Sequence, residues 1–389
     1  MLNYPGRQDR VSLRLPNVNL LLGGNGSGKS SVFKALALSI LSDTLASSGF
    51  RPYYLVRRTG GEPEQTEASS GRIAEITAAL KFHSPFDGKE DHGFDTHCQI
   101  SIEGDEEYLL EAQNGDKNRS LRRLMSQDSP ALFLVGYGAN RRVARRDGFS
   151  ESANERDRST RYQRVATLFE DAIPLVPIEW WWSQARTRER HVEATDLVNA
   201  LLADEEVRFT PEEDEPRFTT GGVSLPFEAL SDGFRGMLAW IFDLLHHLAR
   251  VAPKDVNMVD LPGVVIVDEI DLLLHPEWQR TVIERLSTTF PKLQFLFSTH
   301  SPLVAGTLEA LNIYVLDRDH NGIPMVDQYQ ENIYGLTANQ VLTSSYFGLA
   351  STRAPGTGTL SDLGKLALSG KPSDQDEFVR RMMESIPAE

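Results

Sequence analysis

The chain has 389 residues, a formal net charge of −15 and a single cysteine, Cys98. So negative a charge argues against a surface coated with basic residues for nucleic acid, and one cysteine excludes an intrachain disulfide and a cysteine-rich zinc site. No apolar run approaches the roughly 18 residues that span a bilayer, and the N-terminus lacks the apolar core of a signal peptide. We therefore expect a cytoplasmic protein without a membrane partner.

The first predicted elements are a strand, a glycine-rich loop and a helix. Residues 18–22 (VNLLL) form an apolar run typical of a buried strand, and the segment SVFKALALSIL has apolar residues at helical spacing. The loop between them, GGNGSGKS at 23–30, fits the phosphate-binding pattern G-x-x-x-x-G-K-[ST] in the context that this pattern requires. The sequence therefore predicts a P-loop rather than an ordinary glycine-rich turn.

The residue types of this loop suit a nucleotide and Mg²⁺. Its glycines let backbone N–H groups turn inward around a β-phosphate, and the helix N-terminus adds the positive end of its dipole. Lys29 is predicted to reach the β- and γ-phosphates, and the hydroxyl of Ser30 to ligate Mg²⁺. The residues predicted to contact ATP in this segment are Gly23, Asn25, Gly26, Ser27, Gly28, Lys29, Ser30 and Ser31.

The middle of the chain contains alternating strands and then two charged runs. Segments between 72 and 113 (ITAALKF, CQISIEG, EYLLEAQ) alternate like antiparallel strands. Residues 141–164 hold eight arginines against four acidic residues, and residues 204–215 hold seven acidic residues against one arginine. A solvated helix face or a mobile loop is the simpler interpretation of the acidic run. The arginine run directly follows an apolar strand, so its first members, Arg141, Arg142, Arg145 and Arg146, are equally candidates for contact with nucleic acid or with an acidic partner.

Residues 141–220 are predicted to be mostly helical, with a mobile segment at 203–217. Three consecutive tryptophans at 180–182 lie within this region. They cannot all face one core, so we expect one or two to pack inside and the remainder to contact a partner or a nucleobase.

Two further strands are predicted to end in chemically active residues. The β-branched run Val264–Val267 is typical of a central parallel strand, and Asp268 follows at its carboxyl end, where ligand crevices form in open α/β sheets. Asp268 is predicted to hold Mg²⁺, and Glu269 to accept a proton from the attacking water. The strand in LQFLFSTHSP ends near His300, which is predicted to reach a γ-phosphate.

A long amphipathic helix is predicted from LSDGFRGMLAWIFDLLHHLA, which begins at Leu230. Residues 231–233 (Ser-Asp-Gly) suit the helix N-terminus. The predicted buried stripe consists of Phe234, Met237, Leu238, Ile241, Phe242, Leu245 and Leu248.

The order of P-loop, LSDG-helix, acidic strand and histidine strand resembles ATP-binding-cassette ATPases, whose signature is usually written LSGGQ. The wording DEIDLLLHPEWQ, FSTHSP and GYGANRR is similar to the soluble SMC, RecF and OLD branch, and closer still to "AAA family" ATPases of antiphage defence, including the Septu type. Where the family often places a glutamine after the strand ALFLV, this sequence has Tyr137 and Asn140. The resemblance covers residues 2 to about 316. The residues after it hold no acidic cluster typical of a nuclease, so we expect no nuclease in this sequence.

The resemblance implies an α/β P-loop fold of ABC type, with a mixed central sheet, an antiparallel β lobe and a helical insert. It also implies a homodimer or higher oligomer in which Ser231 and Gly233 act on the ATP of a partner subunit. We expect a first part of the ATPase head at 1–140, a helical insert at 141–222, a second part of the head at 223–330, and a C-terminal tail for partner docking at 331–389.

Three functions compete on these grounds. The first is a Mg²⁺-dependent ATPase whose dimerisation controls DNA or RNA binding, or a separate nuclease subunit, in antiphage defence or DNA repair. The alternatives are the nucleotide-binding subunit of a membrane transporter and a nucleotide-sensing scaffold with little hydrolysis. The 239 residues that separate Lys29 from Asp268 favour the first, because transporter subunits are more compact there.

Overall fold

A computed structural model of the chain forms two compact units, Met1–Phe347 and Gly348–Glu389. The structure describes residues 15–46, 50, 52, 55–56, 73–82, 92–103, 106–110, 133–143, 160–184, 189–203, 206–212, 215–319, 322–352, 368 and 372–384.

A six-stranded mixed sheet forms the centre of the first unit, in the order β12-β11-β1-β10-β9-β5. Its strands are β1 (Val18–Leu22), β5 (Leu134–Tyr137), β9 (Gly263–Val267), β10 (Leu293–Ser298), β11 (Ile313–Arg318) and β12 (Pro324–Asp327). All neighbours are parallel except β11 and β12. Strands β1, β5 and β10 are buried along their whole length, including the polar Asn19 and Gln294, which is typical of strands covered on both faces. The predicted fold class, α/β with a mixed central sheet, is confirmed.

Register places the ends of three central strands together. Leu21 of β1 lies opposite Ser298 of β10, and Phe297 of β10 lies opposite Val267 of β9. The segments that follow these strands therefore meet at one edge of the sheet, where open α/β sheets form their ligand crevices.

Helices cover both faces of this sheet. The longer ones are α1 (Lys29–Ala46), α5 (His191–Leu201), α6 (Asp232–Val251) and α7 (Pro276–Thr289). Short helices are α2 (Thr160–Gln163), α3 (Ala166–Phe169), α4 (Ile178–Trp182), α8 (Pro302–Ala305) and α9 (Ala338–Thr343), and the second unit contains α10 (Pro372–Glu384). None of the helices in the described part of the chain combines the length and the apolar character needed to cross a membrane.

Helix α6 is the predicted long helix and lies at the centre of the larger core cluster. Six of its seven predicted stripe residues are buried, and Phe234 is half-buried with its ring 5.4 Å from that of Trp278. Burial extends beyond the stripe, because Trp240, Leu244 and His247 on other faces are also enclosed.

The predicted antiparallel lobe is confirmed. Strands β2 (Ile73–Phe82), β3 (His92–Glu103) and β4 (Glu106–Leu110) form a three-stranded antiparallel sheet. Cys98 is buried and lies in β3.

The prediction of a mobile segment over 203–217 is wrong for the described residues there. Strands β6 (Val207–Phe209), β7 (Arg217–Thr220) and β8 (Val223–Pro226) form a second antiparallel sheet. Phe209 and Phe218 are buried with their rings 5.0 Å apart, and Arg208 points outward between two buried neighbours. The alternation of buried and exposed residues in these strands could not be recognised in the sequence. Acidic residues dominate the segment, and so short a sheet contains few apolar residues.

All three tryptophans pack in or against one core cluster, so the expectation that they cannot all face one core is wrong, whereas the expected burial of two of them is confirmed. Trp181 and Trp182 are buried, and the ring of Trp182 stacks on His191 at 3.9 Å. Trp180 is half-buried, packs against the core, and its ring lies 5.9 Å from His246. A partner or nucleobase contact of Trp180 stays a prediction.

Candidate nucleotide site

The P-loop connects β1 to α1 and needs glycine at its bends. Gly23 and Gly26 have φ of 156° and 72°. A Cβ on Gly23 would lie 2.6 Å from the carbonyl oxygen of Leu316 and 2.7 Å from Ser27 Oγ, so no larger residue fits without moving the loop. Asn25, Gly26 and Ser31 are exposed around this loop.

Lys29 folds back over the loop. Its Nζ donates to the carbonyl oxygens of Gly23 (2.9 Å) and Gly24 (3.2 Å), and lies 2.8 Å from His300 Nε2. Burial lowers the pKa of Lys29, while Asp268 and nearby carboxylates act to raise it. The structure thus brings together the P-loop lysine and the strand-end histidine, 271 residues apart, at a place where one phosphate group could contact both.

Ser30 and Asp268 meet as a metal site would require. Ser30 Oγ donates to Asp268 Oδ2 at 2.5 Å, and Ser298 Oγ donates to the other carboxylate oxygen of Asp268. A hydroxyl and a carboxylate are hard oxygen ligands that fit Mg²⁺, with phosphates and water supplying the rest. Among the described residues no group of three or more His, Cys, Asp or Glu side chains could hold a metal without such help.

Glu269 follows Asp268 in a left-handed backbone conformation, with φ of 49°. Its N–H donates to Ser298 Oγ at 2.8 Å, and its carbonyl oxygen accepts from Leu272 N at 3.1 Å. A non-glycine residue adopts this conformation at a cost of about 1–3 kcal/mol, so it persists only where the surroundings hold it.

Arg141 lies inside the site rather than on a surface patch. Its guanidinium donates to the carbonyl oxygens of Asp268 (2.7 Å) and Glu269 (2.9 Å). Burial lowers the pKa of Arg141 to about 10, against the opposing effect of Asp268, Glu269 and Asp271. Arg142 is exposed, whereas Arg145 and Arg146 lie outside the described residues. The predicted nucleic-acid or partner patch therefore has to be formed without Arg141.

The sequence analysis did not predict a third carboxylate of the site, that of Asp271. Thr299 Oγ1 donates to Asp271 Oδ1, which joins the strand-end segment of β10 to the turn after β9. The available signal was the second aspartate of the DEID sequence, three residues beyond Asp268.

The predicted signature segment begins α6 but contacts the turn after the acidic strand. Ser231 occupies the N-cap position and is exposed, and the structure shows no capping bond from its side chain. A Cβ on Gly233 would lie 2.8 Å from the carbonyl oxygen of Leu273. Leu273 has φ of 64° and is 63% exposed, so an apolar residue stands out beside the signature segment.

A buried polar link connects α6 to the sheet strand beside β9. Tyr137 Oη donates to Asp243 Oδ2 at 2.9 Å, and Val176 N donates to Asp243 Oδ1 at 2.9 Å. His247 Nε2 lies 3.3 Å from Asp243. Burial and the neighbouring Asp243 raise the pKa of Tyr137 well above its usual value, so the phenol stays a proton donor. Tyr137, noted in the sequence only as a departure from the expected glutamine, thus has a structural partner.

Another arginine, Arg318, contacts the P-loop. Arg318, at the end of β11, donates to the carbonyl oxygens of Gly26 (3.0 Å) and Gly322 (2.9 Å). It links the β11–β12 turn to the tip of the P-loop.

Comparison with known proteins finds relatives by sequence and by fold. A family model described as "AAA domain, putative AbiEii toxin, Type IV TA system" matches residues 138–306. The chain is 25% identical over 371 residues to Septu protein PtuA of Bacillus mycoides (strain KBAB4), a match that covers 94% of this chain and 46% of that protein. A 94-residue segment is 46% identical to "Retron Ec83 probable ATPase" of Escherichia coli and covers 24% of this chain and 17% of that protein.

Among solved structures, the SMC head domain from Thermotoga maritima aligns with a TM-score of 0.40 and 14% identity, covering 85% of this chain and 96% of that one. The chain spans about half the length of the PtuA relative. The sequence relatives confirm the resemblance to Septu-type ATPases drawn from the motifs: the chain is an α/β protein similar to Septu protein PtuA and, over a shorter segment, to a probable retron ATPase.

Proposed function

We propose that this chain binds ATP with Mg²⁺ and hydrolyses it. The observation that carries the proposal is the hydrogen bond between Ser30 and Asp268, which joins the P-loop to the acidic strand beside Glu269. Lys29 and His300 would contact the terminal phosphates, Ser30 and Asp268 would hold Mg²⁺, and Glu269 would take the proton of the attacking water. The "probable ATPase" name of the retron relative supports the same reaction.

Two substitutions separate binding from hydrolysis. Lys29→Ala should abolish ATP binding, because the positive charge at the phosphates is lost. Glu269→Gln should keep ATP bound and stop phosphate release. The exposed Lys254→Ala and Glu206→Gln are matched controls that should behave as wild type. A Glu269→Gln variant that releases phosphate at the wild-type rate would contradict the assignment of the base. A wild type that binds ATP and releases almost no phosphate would instead favour a nucleotide-sensing scaffold.

The active unit of this proposal is a head-to-tail dimer. Ser231 lies exposed at the N-terminus of the 20-residue helix α6, where partial positive charge collects, while Lys29 already serves the phosphates of its own subunit. Ser231 and Gly233 would therefore complete the site of a second copy. Mixing a Lys29→Ala chain with a Ser231→Arg chain leaves one intact composite site in each mixed dimer. Partial recovery of ATPase is expected, and verified mixed dimers without recovery would disprove the model.

The ATP cycle would control nucleic acid or a separate nuclease subunit in antiphage defence. The similarity to Septu protein PtuA over 94% of this chain supports the defence role and not the transporter alternative. Arg142, Arg145 and Arg146 follow the segment that ends beside the site, so they suit contact with a phosphate backbone or an acidic partner. Their joint change to glutamate should abolish DNA or RNA retention or partner activation and leave the ATPase measurable. Retention of both activities would refute this role.

The division of labour is testable with the purified chain. We expect no cleavage of DNA or RNA in the presence of Mg²⁺ and ATP, because the nuclease belongs to another subunit in this proposal. Metal-dependent cleavage that survives removal of contaminating nucleases would overturn it.

A further inference from the structure

The guanidinium of Arg141 binds two successive backbone carbonyls at the centre of the site. The two accepting oxygens belong to Asp268, at 2.7 Å, and Glu269, at 2.9 Å. These are the residues proposed to hold Mg²⁺ and to activate water. Arg141 therefore contacts the backbone that carries both side chains, without using either carboxylate.

The backbone that Arg141 holds is strained. Glu269 has φ of 49°, and the hydrogen bonds that fix it come from different parts of the chain. Its N–H donates to Ser298 Oγ, its carbonyl oxygen accepts from Leu272 N, and Arg141 adds a second donor to that carbonyl. A strained conformation of this kind relaxes when one of its supports is removed.

The shape of arginine suits this contact better than that of lysine. Its planar fork presents N–H groups from two separate nitrogens, Nη1 and Nη2, in fixed directions, one for each carbonyl, whereas a lysine would have to serve both from a single nitrogen on a flexible stem. Three carboxylates, those of Asp268, Glu269 and Asp271, interact electrostatically with the guanidinium. These carboxylates thus offset the positive charge of the buried guanidinium.

The segment that carries Arg141 is itself held firmly. Asp268 N donates to the carbonyl oxygen of Tyr137 at 2.8 Å, at the end of β5. A Cβ on Gly138 would lie 2.2 Å from the carbonyl oxygen of Thr167, so the segment passes directly against α3. The backbone of Arg141 is therefore fixed, while its guanidinium holds the backbone of Asp268 and Glu269.

We propose that Arg141 is a positioning residue for ATP hydrolysis: it holds the backbone of Asp268 and Glu269 so that the carboxylate of Glu269 stays in reach of the attacking water. This inference rests on the proposed ATPase function and adds a residue that acts through Glu269. In this proposal Arg141 acts through Glu269 and not on the nucleotide, so its removal should affect the chemical step and not nucleotide affinity.

The test uses Arg141→Met and Arg141→Lys in the full chain, with the exposed Arg208→Met as the matched control. Arg141→Met should lower kcat by on the order of 100-fold, since displacement of a catalytic group by about 1 Å costs that much. The Kd for MgATP, measured by titration, should stay within about threefold, because the P-loop contacts are retained. Arg141→Lys should recover less than a tenth of the lost rate, because one nitrogen on a shorter, flexible stem cannot fix the two carbonyls in the way that the separate nitrogens of the guanidinium do.

A second measurement excludes a merely structural effect. In single-turnover reactions, adding Arg141→Met to Glu269→Gln should lower the residual rate less than about twofold, because the two residues act through one group. If Arg141→Met caused the same full loss of rate in the wild-type and the Glu269→Gln backgrounds, the inference would be overturned. A wild-type kcat in Arg141→Met would overturn it too, as would a parallel loss of kcat and of affinity for MgATP. If Arg141→Met fails to fold, the same comparisons apply to Arg141→Lys. A wild type without ATPase activity refutes the proposed function and this inference together, whereas an active wild type with an equally active Arg141→Met refutes this inference alone.

Discussion

Replacing Tyr137 by phenylalanine removes one oxygen from the link between β5 and α6. That oxygen donates to Asp243 at 2.9 Å, and both residues are buried, with exposed fractions of 1% and 4%. A hydrogen bond to a charged acceptor contributes about 1.5–3 kcal/mol, so we expect Tyr137→Phe to lower the free energy of unfolding by about 2 kcal/mol. Asp243 keeps Val176 N and His247 as partners, which limits the loss.

Removing the acceptor should cost more than removing the donor. Asp243→Ala leaves the hydroxyl of Tyr137 and the N–H of Val176 buried without their acceptor. Each orphaned group costs about 1–3 kcal/mol, which gives a loss of about 4 kcal/mol for the pair. The order of stability is therefore wild type, Tyr137→Phe and Asp243→Ala, from highest to lowest.

Urea unfolding followed by circular dichroism and by tryptophan fluorescence measures both variants. With a slope of about 3 kcal/mol per molar urea, Tyr137→Phe should lower the midpoint by about 0.7 M. The exposed Tyr108→Phe is the control for the loss of a phenolic oxygen and should change stability by less than about 0.5 kcal/mol. Equal midpoints for Tyr137→Phe and Tyr108→Phe would refute the reasoning.

Three further predictions address other parts of the site and core. Gly233→Ala forces a Cβ to 2.8 Å from the carbonyl oxygen of Leu273, so ATPase activity should fall about tenfold with MgATP binding retained, and full activity would contradict this contact. Burial lowers the pKa of Lys29, so the ammonium loses its proton at a lower pH than a free lysine does. The Kd for MgATP should therefore rise as pH increases toward that lowered pKa, and a flat profile would show that the charge of Lys29 does not matter for binding. Trp181→Ala should lower the free energy of unfolding by about 3–5 kcal/mol, because this ring is 1% exposed, whereas Val192→Ala, 74% exposed, should stay within about 0.5 kcal/mol; equal effects would refute the packing assigned to Trp181.

Local sequence was sufficient to predict the elements that carry the candidate site. The P-loop pattern needs glycines whose φ is positive, and the apolar runs on β1, β9 and β10 need burial on both faces, so both features are visible in a few consecutive residues. Parallel strands end at the same sheet edge, which is why the pairing of Ser30 with Asp268 followed from motifs 238 residues apart.

Tertiary structure alone decided the contacts that have no local pattern. Arg141 was expected on a charged surface, because a run of arginines indicates solvent or phosphate contact, yet its fork holds carbonyls 127 and 128 residues away. Backbone carbonyls exist at every residue, so no sequence pattern marks the two that accept. The sheet of β6, β7 and β8 depends on Phe209 meeting Phe218, and the link from Tyr137 to Asp243 depends on α6 crossing beside β5. Such contacts depend on how distant segments pack, whereas a motif records only what neighbouring residues require of one another.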